Sequence, residues 1–305
     1  MKILIATEKP FAPAAVECMR SEIQKGGHEI VLLEKYTDKS ELLSAVAAVD
    51  ALIVRSDKID AEVFDAAKQL KIVVRAGAGY DNIDLEAATK HGVVVENTPG
   101  QNANAVAELV FGLLVFAVRN FYNGKSGTEL QGKNIGLLAF GNVGKNVARI
   151  AKGFGLEVYA YDAFCPADVI EQAGVHAVAN QDELFATCDI VSLHIPATPE
   201  TRQSINYELV NKMRKGGILI NTARKEIIDE AGLLKLLTER SDIKYITDIK
   251  PDADKAFAAL EGQYFSTPKK MGAQTAEANL NAGVAATRQI NAFFADGCKK
   301  FQVNK

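Results

Sequence analysis

A glycine-rich turn offers the first chemistry in this chain. Residues 134–140 read as a strand, and they lead into Ala139, Gly141 and Gly144 at the spacing of the dinucleotide fingerprint G-x-G-x-x-G/A. The middle glycine lets the backbone approach a pyrophosphate, and the following helix N-terminus supplies N–H donors and a positive dipole end. A tight strand-to-helix turn without a ligand is the alternative. The predicted pyrophosphate site consists of Gly141, Asn142, Val143 and Gly144.

A carboxylate at the end of the next predicted strand supports a nucleotide site. Asp162 ends the run EVYAYD, at the distance from the glycines where an acidic residue accepts hydrogen bonds from ribose hydroxyls. The same carboxylate repels a 2′-phosphate, and no arginine occurs in residues 163–170. The sequence therefore favours NAD over NADP as the cofactor.

Two adjacent lysines form a second candidate for chemistry. Lys269 and Lys270 lie in STPKKMGAQTAEA (266–278), after a Thr-Pro turn signal and before a Gly-Ala step into a predicted helix. Paired loop lysines are usually solvated charges. The other interpretation is that one of these amines exchanges a proton.

Alternating strand and helix patterns must position these residues. Apolar runs separated by helical segments, such as residues 12–25 and 60–70, predict βαβ units on parallel sheets. One series precedes residue 100 and a second begins near residue 134, with an apolar helix at 101–120 between them. We therefore predict an α/β fold with two Rossmann-like domains, parallel sheets and a cleft between the domains. The predicted strands are KILIAT, EIVLLE, ALIVRS, KIVVRAG, GVVVEN, NIGLLAF, EVYAYD, IVSLHI, GILINTA, YITDI and YFSTP.

Composition narrows the function classes. With 305 residues, 48% of them hydrophobic and 24% charged, the chain is typical of a globular protein with room for two domains. A net charge of −3 without a basic tract argues against a nucleic-acid partner. The four cysteines are far apart and form no CxxC pair, so we expect neither a metal site nor a disulfide framework.

The sequence also bears on location. The opening MKILIATEKP reads as a first strand rather than an export signal, because charge interrupts its apolar run early. The longest apolar stretch, residues 109–118, is too short to span a bilayer. We expect a soluble cytoplasmic protein with no membrane partner.

Four segments, taken together, resemble a known family. Residues 75–109, 192–206, 218–233 and 266–278 are similar, in the same order, to signatures of the D-isomer-specific 2-hydroxyacid dehydrogenases. The resemblance covers most of the chain. It implies a flavodoxin-like substrate domain, a Rossmann domain that binds NAD, and a homodimer whose contact includes the 101–120 helix and the arm at 120–133. The implied domain boundaries are 1–100 plus 281–305 for the substrate domain and 101–280 for the NAD domain.

The resemblance also implies a reaction and its binding residues. Within the family the likeness is closest to short forms that oxidise 3-phospho-D-glycerate to 3-phosphohydroxypyruvate in serine biosynthesis. Hydride transfer from a 2-hydroxy acid needs a cation on the carboxylate and an acceptor for the hydroxyl proton. Arg224 matches the family arginine that holds the carboxylate. Ala78 and Gly79, in AGAG, are expected to form an anion nest for the same group.

A cationic strand end is the candidate site for the substrate phosphate. Arg55, Ser56 and Lys58 follow the strand ALIV and offer two positive charges and a hydroxyl. A solvated strand end is the alternative. The prediction of a phosphorylated substrate depends on this site.

Further cofactor contacts follow from the resemblance. It assigns His194, Pro196 and Thr201 to a cofactor loop, with His194 as a positioning residue rather than an acid or base. Asp248 matches the aspartate near the nicotinamide carboxamide, and Thr222 completes the predicted NAD site.

The lysine pair can be interpreted from two residues that most family members have and this chain lacks. Most members have an acid/base histidine after the Thr-Pro and a glutamate paired with it, but here no histidine follows His194 and the glutamate position is Ala253. A lysine, with a pKa ordinarily near 10.4, needs no carboxylate to hold its proton. We predict that Lys269 or Lys270 exchanges the substrate proton, with a preference for Lys269. Asp252 and Asp254 remain candidates to assist.

Two other functions stay open from the sequence. One is a reductase for glyoxylate, hydroxypyruvate or a similar unphosphorylated 2-keto acid. The other is a non-catalytic NAD(H)-binding sensor, which the loss of the His–Glu pair permits. The predicted substrate nest and Arg224 favour an enzyme, because a sensor of NAD alone requires neither.

Overall fold

The computed structural model describes residues 1–304 and divides the chain into two compact units. The first unit comprises residues 1–102 and the segment that begins at Gln274, and the second comprises residues 103–273. The boundaries drawn from the sequence, at residues 100 and 281, stay a prediction.

The first unit begins with five parallel strands. They are β1 (Lys2–Thr7), β2 (Glu29–Glu34), β3 (Ala51–Val54), β4 (Ile72–Arg75) and β5 (Val94–Asn97). They pair in the order β2-β1-β3-β4-β5. Between them lie α1 (Pro13–Lys25), α2 (Lys39–Val46), α3 (Ala61–Ala66) and α4 (Leu85–Lys90).

The second unit is built on seven parallel strands. The elements of its first half are α5 (Ala103–Val118), a 3₁₀ turn at Asn120–Tyr122, β6 (Asn134–Leu138), α6 (Asn142–Gly153), β7 (Glu157–Tyr161), α7 (Ala167–Gln172) and β8 (His176–Ala177). The elements of its second half are α8 (Gln181–Thr187), β9 (Ile190–Leu193), α9 (Tyr207–Val210), β10 (Ile218–Asn221), a 3₁₀ turn at Lys225–Ile227, α10 (Glu230–Glu239), β11 (Lys244–Thr247), α11 (Asp254–Ala258) and β12 (Tyr264–Ser266). The strand order is β12-β11-β10-β9-β6-β7-β8.

A last helix, α12 (Ala276–Asp296), returns to the first unit. Its buried Ala282, Ala286 and Ile290 share a core with Met19 of α1 and with the sheet residues on the same face. Thr275 caps the helix by accepting a hydrogen bond from Ala278 N, and Gly297 ends it in the left-handed conformation that glycine tolerates.

The predicted α/β class with two parallel sheets is confirmed. Every strand predicted from an apolar run is present. β1 and β2 have the predicted bounds, and every other strand has fewer residues than predicted. β4 and β10 are shorter at both ends, and β11 begins one residue before its predicted start. The sequence missed β8, because a two-residue strand with the exposed His176 has no apolar run to detect. No helix within residues 1–304 has the length and apolar character needed to cross a membrane.

Candidate functional site

The topology of the second sheet marks one place for a ligand. From β6 the chain adds β7 and β8 on one side and then β9 to β12 on the other, so the strand order reverses between β6 and β9. Open α/β sheets bind ligands at the carboxyl ends of strands beside such a switch point. The carboxyl ends of β6, β9, β10 and β11 lead into Ala139, His194, Thr222 and Asp248, so these residues meet at one sheet edge.

The glycine turn after β6 has the geometry of a close backbone approach. A Cβ at Gly144 would lie 2.4 Å from the Ala139 carbonyl oxygen, so glycine is required there. Gly141 faces open space, and α6 begins after it without a side-chain cap. The first N–H groups of α6 are therefore left to bind an anion. This arrangement fits the predicted pyrophosphate site at Gly141, Asn142, Val143 and Gly144.

Ala139 adopts a conformation that its residue type disfavours. Its φ is 85°, in the left-handed region, at the first position of the fingerprint where glycine is usual. Ala139 therefore occupies, with a Cβ, a backbone conformation that glycine adopts without strain. The strain is stored where β6 meets α6.

Asp162 is held at the end of β7 by backbone donors. Its Oδ2 accepts a hydrogen bond from Phe140 N at 2.7 Å, and its Oδ1 accepts from Phe164 N at 2.8 Å and Cys165 N at 3.0 Å. The first contact ties the carboxylate to the glycine turn. A carboxylate offers about four lone-pair sites, so capacity remains for a ribose hydroxyl. The ribose contact stays a prediction.

The predicted cofactor loop is internally bonded. The Thr201 hydroxyl donates to the Pro196 carbonyl oxygen at 2.6 Å and also accepts from Thr198 N at 2.7 Å. His194 lies 3.0 Å, Nε2 to Oγ, from Ser192, and desolvation lowers the His194 pKa from 6.5 to about 4. The ring is neutral at physiological pH, which suits a positioning residue and not an acid that must carry a proton.

Arg224 and Lys270 converge on one backbone oxygen. Arg224 Nη1 donates to the Ala223 carbonyl oxygen at 2.9 Å, and Lys270 Nζ donates to the same oxygen at 3.1 Å. Two cationic groups therefore lie beside each other at the carboxyl end of β10. Lys269 is exposed, and its described hydrogen bond is made by its carbonyl oxygen, which accepts from the Thr267 hydroxyl at 2.9 Å.

Asp248 organises the loop that carries both lysines. This buried carboxylate accepts hydrogen bonds from the Thr267 hydroxyl at 2.8 Å, from Met271 N at 2.7 Å and from Gly272 N at 2.7 Å. The loop 267–272 thus closes around one side chain. The nicotinamide contact of Asp248 stays a prediction. Its structural role in the loop could not be predicted, because spacing alone does not show which N–H groups face a carboxylate.

The two aspartates left open by the sequence have other partners. Asp252 pairs with Lys225 at 2.6 Å. Asp254 pairs with Lys250 at 2.9 Å and accepts from the Tyr264 hydroxyl at 2.8 Å. In the segment that stands where the family has its glutamate motif, both carboxylates are thus already paired with other lysines. Neither aspartate is therefore assigned to assist Lys269 or Lys270.

Thr222 leaves a buried polar atom available. Its Oγ1 is shielded from water and has no hydrogen-bond partner within residues 1–304. Leaving a buried hydroxyl unpaired costs about 1–3 kcal/mol. An orphaned donor at the carboxyl end of β10 fits a nucleotide site, as predicted for Thr222.

In the first unit the predicted substrate residues lie at neighbouring strand ends. Arg55 Nη1 donates to the carbonyl oxygens of Lys9 at 2.9 Å and Pro10 at 3.1 Å, and Nη2 donates to Asn279 Oδ1 at 2.6 Å. These hydrogen bonds within the protein therefore occupy part of the donor capacity of the Arg55 guanidinium. Ser56 and Lys58 are exposed, and Lys58 lies 3.8 Å from Asp60.

The glycine-rich loop after β4 is the predicted anion nest. Within residues 1–304 the N–H groups of Ala78 and Gly79 make no described hydrogen bond, as an anion nest requires. The sequence interpretation missed Arg75, whose guanidinium packs so closely over Gly77 that a Cβ there would lie 1.4 Å from Nη1. Gly77, with φ 153°, was the available signal, because an obligatory glycine marks a close approach.

Comparisons with known proteins show what this chain is similar to. Residues 116–261 match the NAD-binding domain of the D-isomer-specific 2-hydroxyacid dehydrogenases. The chain is 37% identical to the D-3-phosphoglycerate dehydrogenase of Methanocaldococcus jannaschii over 83% of this chain and 51% of that protein. It is also 37% identical to the hydroxypyruvate reductase of Thermotoga maritima, over 86% of this chain and 90% of the reductase.

A solved structure is similar over the whole chain. The NAD⁺-bound 3-phosphoglycerate dehydrogenase of Entamoeba histolytica has a TM-score of 0.90 and 48% identity, covering 100% of this chain and 99% of that one. The chain spans about half the length of curated phosphoglycerate dehydrogenases that it matches.

Proposed function

Because the chain belongs to the D-isomer-specific 2-hydroxyacid dehydrogenase family, we propose that it is an NAD-dependent dehydrogenase of 3-phospho-D-glycerate. The reaction converts this substrate and NAD⁺ into 3-phosphohydroxypyruvate and NADH, and it also runs in reverse. Similarity to phosphoglycerate dehydrogenases of several organisms supports the choice of substrate.

The single observation that carries the proposal is the pair of cations on the Ala223 carbonyl oxygen. Arg224 can grip a substrate carboxylate through its planar donor fork, which lies beside Lys270 at the carboxyl end of β10. Under this proposal Lys270 Nζ, bound to the same oxygen, would face the 2-hydroxyl of that acid. One group binds the acid and the other handles its 2-hydroxyl proton.

The residues divide the work of the reaction. In oxidation the neutral lysine amine accepts the hydroxyl proton while the C2 hydride leaves to NAD⁺, which supplies the hydride acceptor when bound. In reduction the ammonium group returns that proton to the carbonyl oxygen. Arg224 also stabilises negative charge that develops on this oxygen. The Ala223 carbonyl oxygen positions the amine beside Arg224 in both directions.

Lys270 is proposed as the proton carrier in preference to Lys269. The sequence favoured Lys269 because it directly follows the Thr-Pro, as the family histidine does. The contact of Lys270 with Ala223 supports the other choice, since it places the amine beside the carboxylate-binding arginine. Lys269 remains the alternative carrier.

The proposed NAD site uses the residues at the sheet switch point. Gly141, Asn142, Val143 and Gly144 would hold the pyrophosphate, and Asp162 the adenosine ribose. His194, Pro196, Thr201, Thr222 and Asp248 would line the remainder. The open face of Gly141 and the orphaned Thr222 hydroxyl support this assignment. The protein is proposed to act in the cytoplasm as a homodimer, in serine biosynthesis.

A second candidate function has a specific observation in its favour. The hydroxypyruvate reductase of Thermotoga maritima matches over most of its own length, and Arg55 spends three hydrogen bonds on the protein. A reductase of unphosphorylated 2-keto acids needs no phosphate site. An NAD sensor is less supported, because Arg224 and Lys270 would then have no substrate to serve.

Comparing substrates side by side tests the proposal. NADH consumption should be measured with 3-phosphohydroxypyruvate, hydroxypyruvate, glyoxylate and pyruvate under identical conditions. We expect kcat/KM to be highest for the phosphorylated acid. Equal or higher values for hydroxypyruvate or glyoxylate would favour the reductase, and no turnover of any of them, with NADH still bound, would favour the sensor.

A further inference from the structure

A cavity in the first unit is lined by none of the residues assigned to the dehydrogenase reaction. It measures about 700 Å³ and is walled by α1, the end of β5, α12 and the segment 298–301. Leu280, Val284 and Phe301 contribute apolar surface, and Glu96, Glu22 and Arg288 contribute charge. This volume lies within the range of roughly 300–1,000 Å³ that small-molecule sites have.

Glu96 is the ionisable group on the inner wall. Side chains alternate along a strand, so Glu96 shares a face of β5 with Val94, which packs in the core formed with α1 and α12. Glu96 is 1% exposed and accepts one hydrogen bond, from Phe301 N at 3.2 Å. Within residues 1–304 no Lys, Arg or His nitrogen lies within 4.0 Å of its carboxylate.

Within residues 1–304, the other two buried carboxylates, Asp57 and Asp248, accept more hydrogen bonds than Glu96 does. Asp57 accepts from Glu8 N at 2.7 Å, from the Tyr36 hydroxyl at 2.9 Å and from Arg55 N at 3.3 Å. Asp248 accepts three hydrogen bonds of 2.8 Å or less. Burying a carboxylate without partners is costly, and desolvation accordingly raises the pKa of Glu96. Among the buried carboxylates within residues 1–304, Glu96 therefore has the fewest described hydrogen-bond donors.

The rim of the cavity carries positively charged side chains, in contrast to the carboxylate on its inner wall. Arg288 Nη2 lies 3.3 Å from Glu22 Oε1, and Lys25 Nζ lies 2.9 Å from the same oxygen. The side chains of Arg288 and Lys25 are 67% and 65% exposed, so their remaining donors face solvent. An anionic group at the mouth of the cavity can therefore bind these donors, and no buried charge is left unpaired.

We propose that this cavity binds a free α-amino acid. Its ammonium group would pair with Glu96, its carboxylate with Arg288, and its side chain would lie against Leu280 and Val284. An ammonium group supplies the donors that Glu96 lacks, and the zwitterion matches one buried anion and one rim cation. This site is independent of the proposed dehydrogenase chemistry.

Ligand-induced stabilisation of the full chain tests this proposal. The thermal midpoint should be measured with each common L-amino acid at millimolar concentration, and the dissociation constant of the best one by calorimetry. That amino acid is then compared with its decarboxylated amine and its deaminated acid. We expect the zwitterion to bind best, the amine more weakly, and the acid not at all.

Two variants and a control locate the site. Glu96→Gln keeps an acceptor for Phe301 N but removes the charge, and we expect roughly 10- to 100-fold weaker binding of both zwitterion and amine. Arg288→Gln should weaken the zwitterion but leave the amine unchanged. Glu86→Gln removes an exposed charge elsewhere in the same unit and should change neither.

Two results would overturn the proposal. One is the absence of any shift with all amino acids in the folded wild-type protein. The other is equal binding by wild type and Glu96→Gln. Dehydrogenase activity is not used as a readout, so the amino-acid site and the proposed reaction succeed or fail separately.

Discussion

At the scale of single residues, the position of an amine decides whether it can exchange a proton with an acid held by Arg224. The Ala223 carbonyl oxygen fixes Lys270 Nζ beside that arginine, while Asp252 and Asp254 are bound to Lys225 and Lys250. We therefore assign neither aspartate a role in the proposed proton transfer. A lysine ordinarily holds its proton far above neutral pH, so no partner is required to keep it cationic.

Alanine at each lysine separates the two candidates. Lys270→Ala should lower kcat by about 10²–10⁴-fold in both directions while NADH binding survives, because general acid–base catalysis is lost. Lys269→Ala is the matched control and should stay within a few-fold of wild type. Steady-state rates and NADH fluorescence titration measure the two effects. The reverse ranking would make Lys269 the carrier, and two mild variants would make the pair a solvated loop charge.

His194 predicts a pH dependence of stability. Its pKa is about 4 in the folded protein and 6.5 when unperturbed. As pH falls through this interval, the unfolded chain binds a proton that the folded protein excludes, so the free energy of unfolding falls, by up to about 3 kcal/mol. Urea unfolding of His194→Gln between pH 4 and 7 should show a shallower decline than wild type. His176→Gln, at an exposed histidine, should retain the full decline.

At the residue scale the sequence could indicate which side chains carry the chemistry, but not all of their contacts. Residue type and spacing were enough to propose Asp162, whereas the roles of Arg224 and the lysine pair also needed the family resemblance. The choice between the lysines depends on a contact across 47 positions, between Lys270 and Ala223, and no local pattern encodes it. Arg75 was missed for the same reason, since its packing on Gly77 depends on the loop's backbone path.

At the scale of elements, the turn from β6 to α6 combines binding geometry with strain. Three backbone N–H groups at the start of α6 are available only if the chain turns sharply at Ala139. A residue with a Cβ has been kept at φ 85°, where glycine would be relaxed. The turn is thus held by its surroundings, including the bond from Phe140 N to Asp162.

Relieving this strain should stabilise the protein. Ala139→Gly removes about 1–2 kcal/mol of left-handed strain and adds a smaller entropy cost in the unfolded chain, so we expect a net gain of about 1 kcal/mol. Denaturant unfolding measures the difference. Ala231→Gly, in α10 at a helical position, should instead destabilise by about 0.5–1 kcal/mol. A loss of stability in Ala139→Gly as large as in Ala231→Gly would show that the alanine is unstrained.

At the scale of the whole molecule, apolar runs and their order were sufficient to predict two parallel sheets. Parallel strands are buried on both faces, so β1, β3, β4, β9 and β10 read as continuous apolar runs and are easily recognised. The strand order within each sheet could not be read from the sequence. It depends on which helix covers which face, and those contacts lie far apart along the chain.

A homodimer is the remaining expectation at this scale, and α5 is its proposed centre. Most of this apolar helix packs within the second unit, but Gly112 is exposed and has open space at its Cβ position. Leu109, Val115 and Phe116 beside it are only partly buried, and Tyr122 in the following arm is 66% exposed. A glycine inside a helix costs about 1 kcal/mol, which close approach by a second copy would offset.

Light scattering across a concentration series tests the dimer. Wild type should report twice the chain mass of 32.9 kDa at micromolar concentration. Gly112→Lys should report a monomer, because a buried ammonium without a partner at the centre of the contact costs several kcal/mol. Gly153→Lys, at an open glycine ending α6, is the matched control and should remain dimeric. If wild type is monomeric, or if Gly112→Lys stays dimeric while folded, α5 is not the contact, and the exposed glycine has to be explained within a single chain.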